Sequence, residues 1–479
     1  MSEILIVGGG LSGAALAAAL LERSRPGSAV RIIEPRPELG RGLAYSSPLP
    51  GHLLNAEAYR FSLQPDDPDH FLHWLARHFA EGGWPEAPAD LRNAYVPRAI
   101  MGLYARHVLA QAAARGAERG ASLEHVQREA VDLNVAEQGR AVLTLADGQS
   151  LAGDAVVLAT GLFPAVRALR DDPRPGLPRR ILHDPWDPAA IGALPKDGAV
   201  AIVGSGLSMV DAVVSLEQAG HRGPIHVISR HGQVAHPRRA APAGPDALKD
   251  ETAESLVRLL RKVRRLCRVE QVKGGDWQSV VDPIRPHIAR LWSEASDEVR
   301  RRFVRHLRPW WESHHHRSPP ESGALVASLR AAGRLSVRAA TIHAIRQAAD
   351  GMVTIELRDR HASAPAVLHV DAVINSSGIE YDWTRVRHAF PRNLLRRGHV
   401  RPGPVGLGID ADAGGAVIGR SGRPSGRLFA LGPPLRGLWW ESTAVPDIVA
   451  QAGALADRLA GLPPTAVPIL PVRQRQAAG

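Results

Sequence analysis

Ile4-Leu5-Ile6-Val7-Gly8-Gly9-Gly10-Leu11-Ser12-Gly13 decides the fold, read with the Ala/Leu-rich stretch to Leu21 and the run Val30-Arg31-Ile32-Ile33-Glu34 behind it. Four consecutive apolar residues suit a parallel strand buried on both faces. The glycines fit G-x-G-x-x-G, a pattern that is weak alone. Between a strand and a helix it reads as a dinucleotide cradle. Gly8 makes the tight turn, Gly10 lets a pyrophosphate approach the backbone, and Gly13 lets helix and strand pack closely. Leu11 and Ser12 open the helix, whose N–H groups and dipole face the phosphates. Glu34 stands 21 residues after Gly13. An acid at that spacing accepts hydrogen bonds from a ribose diol.

A second strand-turn-helix-strand begins at Ala199. Ala199 to Val203 is its strand, Gly204-Ser205-Gly206-Leu207-Ser208-Met209 its turn, Ser208 to Ala219 its helix and Ile225 to Ser229 its next strand. Met209 replaces the third glycine, so helix and strand pack less closely. Asp211 follows inside the helix, with a local cap and a ligand contact both open to it. Arg230 stands where an NAD site usually carries an acid, and a guanidinium there suits a 2′-phosphate. Two such units in one chain place FAD on the first and NADPH on the second. Ala159-Thr160-Gly161 ends the strand Asp154 to Gly161 and is expected beside the flavin. Asn375-Ser376-Ser377-Gly378 ends another strand in the same manner.

The surroundings bound the chemistry. A chain of 479 residues with 44% hydrophobic and 22% charged residues is an ordinary globular composition, too long for one small core. The net charge of +11 comes mostly from arginine, and none of the usual nucleic-acid motifs accompanies it. Cys267 is the only cysteine, which excludes an internal disulfide and the cysteine-pair chemistry of flavin disulfide reductases. No apolar run is long enough for a bilayer, and no leader precedes the first strand. The expected location is cytoplasmic.

Helices are expected over 69–80, 97–118 and 446–460, and strands over 334–338, 352–358 and 368–374. Asp350-Gly351 signals a hairpin. Leu256, Leu259, Leu260, Val263, Leu266 and Cys267 repeat at helical spacing opposite Arg258, Arg261, Lys262, Arg264, Arg265 and Arg268. This marks a helical insertion over about 240–332 with a basic solvated face. The expected fold class is α/β, with two Rossmann-like dinucleotide-binding domains. Residues 1–182 form the first part of a discontinuous FAD domain. Residues 183–366 form the NADPH domain that carries the insertion, and residues 367–479 complete the FAD domain.

With these pieces stand Gly40-Arg41-Gly42-Leu43-Ala44-Tyr45, His52-Leu53-Leu54-Asn55 and Trp440-Glu441-Ser442-Thr443-Ala444-Val445-Pro446-Asp447. Together they resemble the bacterial FAD/NAD(P)-binding proteins distantly related to class B flavin monooxygenases and N-hydroxylating monooxygenases. The resemblance runs nearly end to end. It implies FAD contacts at Pro35, Ala44, Tyr45, Thr160, Gly161, Gly432, Ser442 and Thr443, and substrate-side positions at His52, Asn55 and Arg60. Two departures matter. The relatives carry F-x-G-x-x-x-H-x-x-x-W/Y between the two units, whereas here Gly176 and His183-Asp184-Pro185-Trp186 keep the order without the spacing. The relatives' Gly-Asp at the last flavin strand is Gly432-Pro433.

Three functions fit. The first is an NADPH-dependent flavin monooxygenase using molecular oxygen on a small amine or sulfur nucleophile. The second is a reductase or dehydrogenase passing electrons to another acceptor. The third is a non-catalytic flavin-binding sensor or assembly protein docking through the basic insertion. Homo-oligomerisation stays open. His314-His315-His316 reads as a polar loop rather than a metal site, and no metal is expected. Trp310-Trp311 and Trp439-Trp440 either fill core or line a substrate pocket.

Overall fold

The computed structural model describes residues 2–82, 88–135, 139–165, 179–241 and 244–463. Gly176, expected in the fingerprint, lies outside them. Two parallel-centred sheets organise the chain. The first runs, edge to edge, Ala416–Ile418, Pro424–Ala430, Ala155–Leu158, Glu3–Val7, Ala29–Ile33 and Ser122–Val126. All its neighbours are parallel except the outer pair Ala416–Ile418 and Pro424–Ala430. The central strands are apolar on both faces because helices Leu11–Glu22, Arg98–Glu118 and Val445–Ala460 cover one side. On the other side, an antiparallel sheet of Ala130–Asn134, Ala141–Leu145 and Ser150–Gly153 helps bury them.

The second sheet runs Ala366–Val370, Val353–Asp359, Leu335–Gln347, Ile225–Ser229, Val200–Val203, Ala372–Asn375 and Ile181–Leu182. Its last five strands are parallel, and the hairpin signalled at Asp350-Gly351 joins Leu335–Gln347 to Val353–Asp359 antiparallel. Two expectations change here. The single strand over 368–374 is two: Ala366–Val370 pairs on the hairpin side, and Ala372–Asn375 crosses to pair with Val200–Val203. The chain therefore returns to the first sheet after Asn375 rather than at 367, and Ile181–Leu182 already belongs to the second sheet.

The insertion also ends earlier than expected. Ile225–Ser229 and Leu335–Gln347 are parallel neighbours, so a crossover must join them. Helix Pro320–Ala331 fills that role, burying Val326 and Leu329 against the second sheet. The remaining helices, from Leu256–Val272 to Arg308–His315, form a separate layer over their own apolar cluster. No helix among the described residues is long and apolar enough to cross a membrane.

Two connections carry the chain between the sheets. They pair with each other, Phe163–Pro164 antiparallel to Ile379–Glu380. Asp211 provides a second tie. Its carboxylate accepts from Arg98 Nη2 at 2.7 Å and from Trp186 Nε1 at 2.9 Å. Its position in the helix therefore serves the domain junction rather than a local cap.

Candidate functional site

The two glycine turns are built alike. Gly8 and Gly204 have φ of +108° and +109°. A Cβ on Gly8 would lie 2.3 Å from the Ala159 carbonyl oxygen, and one on Gly204 would lie 2.1 Å from that of Ser376. Only glycine fits either turn. The ends Ala159-Thr160-Gly161 and Asn375-Ser376-Ser377-Gly378 thus play equivalent parts, one against each cradle. The third glycine separates them. A Cβ at Gly13 would sit 2.0 Å from the Gly8 carbonyl oxygen, whereas Met209 is fully buried in the core of the second unit.

In the first cradle Glu34 is buried, and its carboxylate accepts from Gly9 N at 2.9 Å and from Arg36 N at 3.1 Å. The residue therefore fastens the turn, with Pro35 exposed beside it. Helix Leu11–Glu22 has Gly10 as its N-cap with no side chain bonded across it, leaving its first N–H groups to a ligand. The loop bearing Gly40 and Gly42 lies against this turn: Gly40 N donates to Gly9 O at 2.8 Å, and a Cβ on Gly10 would be 3.2 Å from Gly42 Cα. Ala44 is exposed and Tyr45 half-buried at the end of that loop. Burial raises the Tyr45 phenol to about 12, although Arg98 opposes the shift.

The C-terminal pieces close on the same place. Gly432, at φ +73°, would bring a Cβ within 2.7 Å of Ser12 Oγ, and its N–H donates to Gln451 Oε1 of helix Val445–Ala460. Ser442 is fully buried, and Thr443 Oγ1 accepts from Arg436 at 3.2 Å. Thr160 Oγ1 and Ser442 Oγ are buried with no hydrogen-bond partner among the described residues. Buried hydroxyls without partners are costly, so a ligand that engages them is the natural completion. This fits FAD at Gly8, Gly10, Leu11, Ser12, Gly13, Thr160, Gly161, Gly432 and Ser442.

In the second cradle Ser205 Oγ donates its proton to the Gln233 carbonyl and lies 2.8 Å from Ser229 Oγ, from which it can accept, so this hydroxyl is spent within the protein. Leu207 and Ser208 open the following helix, with Gly206 as N-cap and no side-chain cap. Arg230 is exposed at the strand end beside His231, whose Nδ1 lies 3.0 Å from Arg360 Nη1. Arg360, in the turn just after strand Val353–Asp359 of the same sheet, supplies a second cation that the local pattern around Arg230 did not reveal.

The substrate-side expectations fare differently. His52 is completely buried, with Nδ1 2.6 Å from Ser47 Oγ, and Nε2 2.9 Å from Ser215 Oγ and 3.1 Å from the Asp211 carbonyl oxygen. Its position is an interdomain tie, since both ring nitrogens are already engaged. Burial pushes its pKa down despite the Asp211 charge. Arg60 is exposed and paired with Glu57 at 2.7 Å. Asn55 is half-buried.

A charged cluster that the sequence did not announce lies beside Ser442. Glu441, 5% exposed, stands 3.6 Å from His315 Nε2. Burial alone would raise its carboxyl, but His315, His316 and Arg436 hold it well below the usual carboxylate range. Burial pushes His316 down to about 4. Arg436, 2% exposed, lies over the rings of Trp440 and Tyr381, and Arg308 pairs with Glu312 at 2.8 Å. The expected polar loop at the three histidines is therefore the end of helix Arg308–His315 and the residue after it. Aromatic packing holds it there: His315 stacks on Trp311 at 4.6 Å, and His314 meets Trp277 at 5.0 Å. No metal-binding group of three or more His, Cys, Asp or Glu occurs among the described residues.

A family profile for FAD-NAD(P)-binding proteins matches residues 5–163. No curated protein matches the chain. Among solved structures, an ornithine N-hydroxylase of Kutzneria sp. 744 is 14% identical, with 96% of this chain and 99% of that one covered and a TM-score of 0.64. L-lysine 6-monooxygenase of Pseudomonas syringae is 19% identical over 96% and 98%, with a TM-score of 0.60. A cadaverine monooxygenase of Erwinia amylovora is 13% identical over 100% and 97%, with a TM-score of 0.58. Residues 5–163 thus match an FAD-NAD(P)-binding family, and the chain as a whole shares, at low identity, the fold of the N-hydroxylating flavin monooxygenases.

Proposed function

We propose that the protein is an NADPH-dependent flavin monooxygenase acting on a nucleophilic nitrogen or sulfur. The observation that carries this reading is the pair of matched cradles, one closed by the unpartnered hydroxyls of Thr160 and Ser442 and adjoined by the buried Glu441 cluster. When bound, FAD supplies hydride acceptance and the activation of dioxygen. The chain's own residues do the rest. Gly8 to Gly13 and the N-terminus of helix Leu11–Glu22 hold the pyrophosphate. The Arg436 guanidinium, bonded to Thr443 Oγ1, and the N-terminus of helix Val445–Ala460 offset the Glu441 carboxylate beside Ser442. Arg230 and Arg360 hold the 2′-phosphate of the nicotinamide cofactor. Glu441, kept ionised by His315, His316 and Arg436, orients those groups and accepts a proton only at low pH.

A second reading, a reductase passing electrons to another acceptor, is favoured by the altered spacing before His183-Asp184-Pro185-Trp186. The two separate in one experiment. Purified protein is given NADPH and isotopically labelled dioxygen with a panel of amines and thioethers. Labelled oxygen in an organic product is expected. Recovery of all consumed oxygen as hydrogen peroxide with every candidate supports the reductase instead.

A further inference from the structure

The insertion encloses space. A cavity of about 800 Å³ lies between its helices, within the range of ligand pockets. Its wall is the apolar face of helix Leu256–Val272, with Leu259 and Val263, together with Trp292, Phe303 and Trp440. Burial gives it a direction. Trp292 and Trp440 are nearly inaccessible, whereas Leu260, Arg264, Arg268 and Trp310 are exposed. The deep end is Trp440, next in sequence to Glu441 and Ser442 of the flavin cradle. Trp440 is 2% exposed, and its Nε1 has no hydrogen-bond partner among the described residues. A buried indole N–H normally finds an acceptor. Helix Asp297–Arg302 runs through a wide π turn at Phe303–Leu307 into Arg308–His315, and Phe303 packs edge-on against Trp440 at 5.0 Å. Such turns recur at functional sites.

Resting on the oxidoreductase reading above, we propose that this cavity is the substrate chamber and that the substrate is an elongated, mainly apolar molecule with an anionic end. The apolar body lies along Leu259, Val263 and Phe303. The reacting end meets Trp440, whose Nε1–H donates to it, and the anionic end stays at the mouth with Arg264 and Arg268. A free amino acid or a short diamine would leave most of this wall uncovered.

Dodecanoate, dodecanol and acetate are the probes, titrated into the FAD-loaded protein by calorimetry and by tryptophan fluorescence. Dodecanoate is expected to bind with a Kd of about micromolar order, dodecanol several-fold more weakly, and acetate not measurably. Val263→Trp, which fills the chamber, and Leu260→Trp, at its exposed mouth where folding is tolerant, should each weaken dodecanoate by about tenfold or more. Arg264→Glu should weaken dodecanoate and spare dodecanol. Circular dichroism checks that each variant is folded.

No binding of dodecanoate, or binding unchanged in both folded tryptophan variants, overturns the proposal. If the same wild-type preparation oxidises NADPH, the oxidoreductase reading survives that failure. Binding that behaves as expected in a protein that neither retains FAD nor oxidises NADPH removes the oxidoreductase reading, and the substrate role falls with it.

Discussion

Replacing Asp211 with alanine should weaken the junction between the two sheets more than any surface substitution. The carboxylate carries one interdomain contact, Arg98 at 2.7 Å, and one within its own unit, the Trp186 indole at 2.9 Å. The side chains of Arg98 and Asp211 are 18% and 13% exposed, so the pair is mostly but not wholly buried. Removing one partner of a fully buried pair costs about 3–5 kcal/mol, and an exposed pair is worth about 0–1. Interpolating gives roughly 2–4 kcal/mol for Asp211→Ala, with the Trp186 hydrogen bond inside that figure because the contacts share one carboxylate. Asp211→Asn keeps an acceptor for Trp186 and should cost about half as much. Arg98→Met combined with Asp211→Ala should cost less than the sum of the two, because neither charge is then left buried alone. Urea unfolding of FAD-saturated protein at fixed FAD concentration measures all four. A loss below about 0.5 kcal/mol for Asp211→Ala, within the range of ordinary surface changes, would show that the carboxylate does not hold the junction. Strict additivity in the double variant would show the same.

Other perturbations follow from the same geometry. Gly13→Ala puts a methyl group 2.0 Å from the Gly8 carbonyl oxygen, so the purified variant should lose its flavin, and stoichiometric FAD in it would contradict the assigned cradle. Arg230→Ala should raise the KM for NADPH by about tenfold, near 1.4 kcal/mol, and leave that for NADH unchanged; equal effects on both would remove the 2′-phosphate assignment. Stability should fall as pH drops from about 6.5 to about 4. His316 holds off its proton to about 4 in the folded chain, whereas the unfolded chain takes it near 6.5, and His52 is shifted in the same direction. His316→Gln should flatten that part of the profile, and a denaturant series against pH checks it.

The cradles were legible because their logic is local. Turn, helix start and strand end lie within a few dozen residues, and each glycine is fixed by its backbone neighbours. The extra strand crossing at Ala372–Asn375 was hidden because a half-exposed strand and a buried one, separated by Asp371 alone, read as one strand. The cluster around Glu441 was not legible, since it joins residues near 312, 381 and 436–441, which only the assembled layers bring together. The basic face of helix Leu256–Val272 was visible in the sequence, but nothing local says that its apolar face meets open space. His52 misled because its motif neighbours a cofactor loop, while its partners, Ser215 and the Asp211 carbonyl, are more than 150 residues away.

On the proposed function, one chain holds both cofactors in redox contact. Its most direct test is anaerobic mixing of the purified yellow protein with NADPH, and separately with NADH, while following the visible flavin absorbance. FAD is expected at one per chain, bleached by NADPH much faster than by NADH. A protein that retains no FAD, or whose flavin keeps its oxidised spectrum with both nicotinamides, would contradict it.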